Sequence, residues 1–440
     1  MTASREVLQE ISDLEQQIAE ERETGEPQAL QESLLRLGNL RLREGDAPKA
    51  LTYIEESLKL AEASDNQIAA ARLLGLKGIA LTKIGNPKKA IQSFNKSRKA
   101  AEKLDHLPIT IDALSQSGRL LFETEQVEKG IKDLERAYRL AFESQDLQRE
   151  MLVAGLISTL FLAIEQDGKA MEFLSIALEN AKRLEQQESQ SQYNISIGHI
   201  YVRKEDYGPA EEHFKNALAL GSKLQNRNIE FAAFESLLHL SIAQRDISMV
   251  LFNGSKAIDL AREINDLGAE AQNINRLIDF CFEEQQYRDA QPYIERGYEL
   301  SKEAHDQEAQ MEILAKLGLA AFYLGNMDDA EKNLMKAYQM AVQMQKPPQM
   351  AQIGGKLSAV FAEKGAIDKA IEYGQEAINI ASAQSLLDLE AEQRVLMGMT
   401  YLDQENAEKA RDQFELAVKI YREIGNSELA NQTEALLTIE

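Results

Sequence analysis

The chain has 440 residues, a formal net charge of −23, no tryptophan and one cysteine. That charge argues against wrapping nucleic acid or an anionic membrane surface, because phosphate binding needs clustered Lys and Arg. The lone Cys281 leaves no internal disulfide to form, no apolar run approaches the roughly 18 residues of a membrane span, and Met1 leads into a charged segment; together these predict a soluble cytoplasmic protein.

In chain order, Val7, Ile11, Leu14 and Ile18 recur at 4-3-4 spacing and predict an amphipathic helix over residues 4–22. It stands outside the repeat that follows. Residues 1–27 are therefore expected to cap the array; three heptad steps are too few to favour a dimerising coiled coil.

From residue 28 to 426 the chain repeats in steps of 40. Ala50, Ala90, Ala170, Ala210, Ala290, Ala330, Ala370 and Ala410 share one register, with Gly130 and Val250 in the two remaining slots. Twelve residues upstream stand Gly38, Gly78, Gly118, Gly198, Gly318 and Gly398. Seven residues downstream the slots hold Ser57, Ser97, Gly297 and seven alanines. A fixed period of this size marks a solenoid built from one supersecondary unit.

The eighth copy is the clearest. Ile313, Leu314, Leu317, Phe322 and Leu324 form a helical stripe, Gly325-Asn326 ends it, and Asp328 and Asp329 open a second helix with charge that its dipole favours. Leu334, Ala337, Tyr338 and Ala341 continue the second stripe. Each repeat thus predicts an antiparallel hairpin whose small residues sit at close helix crossings. Pro48, Pro87 and Pro209 fall at the start of second helices, and Pro27, Pro108, Pro347 and Pro348 just before first helices. Pro292 lies deeper, where a local distortion is expected. The sixth copy places Leu238 and Val250 in small slots and Gly254 in a bulky one, which predicts altered packing and a bend or flexible joint over 236–256. After the tenth copy, Leu429, Ala430, Leu436, Leu437 and Ile439 predict a short capping helix within 427–440.

These registers resemble the tetratricopeptide repeat, in which Leu-Gly in the first helix is followed by Ala, an aromatic or Leu, and Ala in the second. The pattern stands here as Leu37-Gly38, Ala50, Ile54 and Ser57; as Ile197-Gly198, Tyr201, Ala210, Phe214 and Ala217; and as Met397-Gly398, Tyr401, Ala410, Phe414 and Ala417. The family's usual Trp and repeat-end Pro are missing, and the period of 40 looks like the longer subclass found in kinesin light chains and Pins-type polarity adaptors. The expected fold is an all-α solenoid: a right-handed superhelix of ten helical-hairpin repeats with terminal capping helices, about 22 helices and no sheet.

No catalytic constellation emerges, so neither enzyme activity nor a cofactor is expected. The five histidines lack metal-ligand spacing, and Cys281 fills a slot held by Leu81, Phe161 or Tyr401 elsewhere, which makes it a core residue. Function is expected in the groove, which the family resemblance assigns to the first helices. Two residues before the Gly slot stand Arg36, Gln116, Arg276, Lys316 and Lys356, a column with four cations and no acid. One residue after it stand Asn39, Arg119, His199 and His239, and Arg203 follows His199 by one turn. These ten residues are the candidate partner-binding set, suited to an acidic or C-terminal segment of another protein or peptide through charge-assisted hydrogen bonds. Solvated surface balanced by the nearby acids Glu235, Asp279, Glu283, Glu312 and Glu363 is the competing account. The Asn ladder of polarity adaptors is missing, and the carboxylate clamp of chaperone co-factors is matched only in fragments. Two functions stand open: an interaction scaffold or adaptor binding a partner segment in the groove, or a regulatory sensor that binds a small ligand or short peptide and signals to a separate effector chain.

Overall fold

The computed structural model describes residues 5–25 and 27–437, so residues 1–4 and 26 of the expected first cap and Ile439 of the last lie outside the described residues. Among the described residues there are twenty-two α-helices and no strand. They fall into two compact units, divided between Ser236 and Leu237. The first holds α1 (Arg5–Thr24), α2 (Pro27–Arg43), α3 (Ala47–Ala63), α4 (Gln67–Lys83), α5 (Pro87–Lys103) and α6 (Leu107–Glu123). It continues through α7 (Val127–Glu143), α8 (Leu147–Ala163), α9 (Asp167–Arg183), α10 (Gln187–Arg203) and α11 (Tyr207–Leu224). The division falls within α12 (Arg227–Gln244). The second unit holds α13 (Ile247–Glu263), α14 (Leu267–Glu283), α15 (Tyr287–Glu303), α16 (Gln307–Tyr323) and α17 (Met327–Gln343). It ends with α18 (Pro347–Glu363), α19 (Ile367–Ala383), α20 (Leu387–Asp403), α21 (Ala407–Glu423) and α22 (Ser427–Leu436). Each unit is a run of helical hairpins packed in sequence order, an all-α solenoid. Ile11, Leu14 and Ile18 of α1 are buried against Leu34 and Leu37 of α2.

The chain turns every 20 residues, half the sequence period. Every twentieth residue from Gly25 to Gly425 has a left-handed backbone, with φ between 50° and 89°. Six of these residues are glycine and fifteen are not. The turn is a Schellman motif: the N–H of Asp65 donates to Glu62 O at 3.3 Å and that of Asn66 to Ala61 O at 2.9 Å, satisfying carbonyls the helix leaves open. The next residue then serves the following helix. Asn66 accepts through its side chain from the N–H of Ala69, and Asp46, Asn86, Asp146, Asp246, Asp266 and Asp306 cap their helices in the same way. Each such cap stabilises by about 1 kcal/mol. Three linker residues thus close one helix and open the next.

Size complementarity sets the hairpin. A β-carbon added to Gly38, Gly78, Gly118, Gly198, Gly318 or Gly398 would collide with Ile54, Phe94, Leu134, Phe214, Leu334 or Phe414 respectively, each sixteen residues on. The bulky side chain of the second helix lies over the missing side chain of the first. The sixth hairpin is packed differently. Leu238 and Val250 are both fully buried in one cluster with Leu277, and Leu277 Cδ2 fills the space at Gly254, 2.5 Å from where a β-carbon would lie. Met397 Cε meets Gly374 in the same way. Bulk missing from one hairpin is supplied by the next.

Proline placement needs one correction. Pro27 and Pro347 are the first residues of α2 and α18, and Pro108 is the second of α6, so they lie inside the first turn, where no intrahelical N–H bond is lost. Helix α15 runs without a break through Pro292.

The joints between hairpins carry a buried polar register. Glu150, Glu230, Glu270 and Glu390 are all buried, in the opening turns of α8, α12, α14 and α20. Glu270, fully buried, accepts from Arg262 at 3.0 Å and Arg296 at 2.9 Å. In the equivalent place Gln190 and Gln310 each donate to a last-turn carbonyl of the preceding helix, Ala181 O and Ser301 O, at 3.1 Å. Ser57 and Ser97 stand where other repeats have Ala because their hydroxyls donate to Gln31 O and Ala71 O. Polar groups buried this way are satisfied at both ends.

Candidate first-helix interaction face

Even-numbered helices from α2 to α20 open the hairpins. Several also meet one another directly: α4 with α6, α6 with α8, α16 with α18 and α18 with α20. Among the described residues the second helices show no comparable approach to one another, so the first helices form the crowded, inner layer of each unit. A partly exposed stripe lies beside the glycine register, and it holds the ten residues singled out from the sequence.

All ten lie on first helices: Arg36 and Asn39 on α2, Gln116 and Arg119 on α6, His199 and Arg203 on α10, His239 on α12, Arg276 on α14, Lys316 on α16 and Lys356 on α18. Each is exposed or half-buried, in contrast to the glycines and leucines between them. The two columns interlock into a ladder across neighbouring helices. His199 Nε2 lies 3.1 Å from Ser236 Oγ, and Lys316 Nζ donates to Asp279 Oδ1 at 2.5 Å, each pair being 37 residues apart. A residue just after the glycine position of one repeat therefore meets a residue just before it in the next. Within helices, Arg276 donates to Asn273 Oδ1, and Arg119 pairs with Glu123 at 2.8 Å.

The cationic column is less bare than its sequence suggests. Arg36 pairs with Glu10 of α1 at 2.5 Å, Lys316 with Asp279, and Arg203 with Asp167 of α9 at 2.5 Å. Asp279 is among the acids expected to balance the column, whereas Glu10 and Asp167 come from α1 and α9 and were not. Lys356 alone among the column's cations makes no hydrogen bond or ion pair among the described residues. Burial pulls its ammonium below the ordinary lysine value, against the attraction of Glu392 and with the repulsion of Lys316 adding to the fall. An anion brought to this stretch would find a partly desolvated cation beside one already shared with Asp279.

Among the described residues no three His, Cys, Asp or Glu side chains are grouped to hold a metal. Cys281 is fully buried, and burial pushes its thiol up to about 11. Among the described residues no helix is long and apolar enough to cross a membrane.

Three stretches, residues 30–103, 315–385 and 394–424, match models of the tetratricopeptide repeat. With the hairpin geometry above, the chain is a tetratricopeptide-repeat protein. The apo form of RapI aligns over 81% of this chain and 98% of its own length, at 13% identity and a TM-score of 0.56. A STAND signal-transduction ATPase with a tetratricopeptide-repeat sensor, from Pyrococcus horikoshii, aligns over 92% of this chain and 74% of its own, at 13% identity and a TM-score of 0.49. BtubC (BKLC) from P. vanneervenii aligns over 51% and 94%, at 18% identity and a TM-score of 0.46. At these identities the likeness is one of fold. Comparison with curated proteins finds no match.

Proposed function

We propose that the chain is a non-catalytic protein-interaction module that works in the cytoplasm, and that its first-helix face receives an acidic segment, or a C-terminal carboxylate, of another protein. The observation that carries this reading is the run Arg276, Lys316 and Lys356 on successive first helices, beside a ladder that packing leaves accessible. A carboxylate near Lys356 restores to that ammonium the partner it lacks, and charge-assisted bonds of this kind are stronger than neutral ones.

The reading is tested by capture from native cytosol with three chains. One is wild type. The second carries R276E/K316E/K356E; the third carries R288E/K332E/K419E, the same charge change on exposed second-helix positions. A protein retained by the first and third chains and lost by the second supports the first-helix face. Equal retention by all three removes the face from consideration.

A further inference from the structure

Three first helices carry glycine at one register: Gly75, Gly155 and Gly355. Each opens a hollow toward the first helix of the next hairpin, facing the residue 38 positions on. At Gly155 that residue is Tyr193, whose hydroxyl lies 2.9 Å from the place of a β-carbon. At Gly355 it is the buried Gln393, pressed against the glycine. At Gly75 it is Ala113, too short to reach, and a β-carbon on Gly75 would meet only Ser97 Oγ at 3.3 Å. The hollow that two repeats fill is left empty in the third. It forms a pocket of about 280 Å³ among α4, α5 and α6.

The walls and floor are apolar, from Leu76, Ile79, Phe94 and Ile109. At the rim stands Arg72, exposed and with no hydrogen bond or ion pair among the described residues. The other rim guanidinium, Arg149, is already held by Asp112 at 2.9 and 3.0 Å and by Asp146 at 2.8 Å. One cation at the mouth is therefore spent and one is open. Leu76 and Gln116, neighbours in the accessible column, border the pocket, so it opens onto the ladder itself.

We propose that this pocket is an anchor subsite for one bulky apolar side chain, of Leu to Tyr size, from a peptide laid along the first-helix face, with a carboxylate next to that side chain pairing to Arg72. The size follows from the tyrosine that fills the equivalent hollow at Gly155, and the charge from the unpaired guanidinium. The proposal rests on the protein-interaction reading above and adds, for the first helices of the first unit taken by themselves, an anchor point and its chemistry.

The test uses the full chain with labelled Ile and Leu methyl groups and two probes, N-acetyl-L-phenylalanine and its amide. The acid should shift the methyl resonances of Leu76, Ile79 and Ile109 and bind several-fold more tightly than the amide. Ala113→Tyr, which installs the residue that closes the Gly155 hollow, should abolish both responses. Gly75→Leu closes the pocket from the opposite wall and guards against misfolding of the first variant; melting curves report the fold of each. Arg72→Gln should leave the amide's affinity unchanged and remove the preference for the acid. No shift in the wild-type methyls, shifts that persist in both filled variants, or an acid preference that survives Arg72→Gln would overturn the proposal. Because the probe needs no partner protein, methyl shifts without capture leave the pocket standing and sink the interaction reading alone; capture without shifts does the reverse.

Discussion

The ring of Phe94 lies over Gly78 so closely that its Cε1 stands 2.5 Å from the place a β-carbon on Gly78 would take. Five further hairpins repeat the relationship, so the glycine register records where a second-helix side chain crosses the first helix. Gly78→Ala should therefore destabilise by about 1–3 kcal/mol, the usual penalty of overpacking. Gly168, in the first turn of α9, has no atom within 4 Å of an added β-carbon. There Gly→Ala should stabilise by roughly 0.5 kcal/mol through the unfolded chain. Urea midpoints of the two variants check both signs.

The left-handed linker residues give a second series. Gln145 and Glu165 hold φ of 55° and 57°, a conformation that costs a side-chain-bearing residue about 1 kcal/mol. Replacing either by Gly should raise the urea midpoint modestly. Gly85, at φ 81°, should behave oppositely, and Gly85→Ala should cost about 1 kcal/mol.

The linkers also show what the sequence conceals. The 40-residue period is legible because the crossings accept only small residues, and collision with Phe94 or Phe214 enforces that. The 20-residue turn is hidden, because fifteen of its positions hold Asp, Glu, Gln, Asn, Ser, Arg or His in place of Gly. There the Schellman bonds and the following cap impose the backbone, and many side chains tolerate it. The candidate face was legible as a column of cations, since its residues escape the packing pattern. Its neutralising acids were legible only in part: Asp279 stands in the adjacent first-helix register, but Glu10, which reaches Arg36, lies on the capping helix outside the repeat. The Gly75 pocket needs two residues 38 apart to be small together, a coincidence that only the packed structure exposes.

Glu270 supplies a pH dependence. Burial alone would raise its carboxyl, but the hydrogen bonds and charges of Arg296 and Arg262 outweigh burial and hold it below the usual glutamate value of 4.5. Its contribution is thus fully present above that value and fades as pH falls through the lower, folded one. Glu270→Gln should cost roughly 1–3 kcal/mol near neutrality, since charge-assisted bonds become neutral ones. The gap in melting temperature between variant and wild type should shrink as pH is lowered below the usual glutamate value.

Cys281 should be inert in the folded chain. With no exposed surface and its thiol raised to about 11, it should react with a thiol-specific disulfide reagent only as fast as the second unit opens. Its labelling rate should rise steeply across the urea transition. Rapid labelling in native buffer would mean that the core around α14 is more open than described.

The first-helix face is proposed to grip an anionic segment through Arg276, Lys316 and Lys356. The direct measurement is a titration of the captured partner's binding segment against wild type, R276E/K316E/K356E and R288E/K332E/K419E at about 0.05 and 0.3 M salt, a range over which screening of exposed charges changes strongly. Affinity for wild type and for the second-helix variant should be equal and should weaken with salt. The first-helix variant should lose binding while remaining folded, as its melting curve checks, with the half-buried Lys356 responsible for most of any fall in melting temperature. Normal binding by that variant, with no effect of salt, would show that the column is only solvated surface and that the working face lies elsewhere.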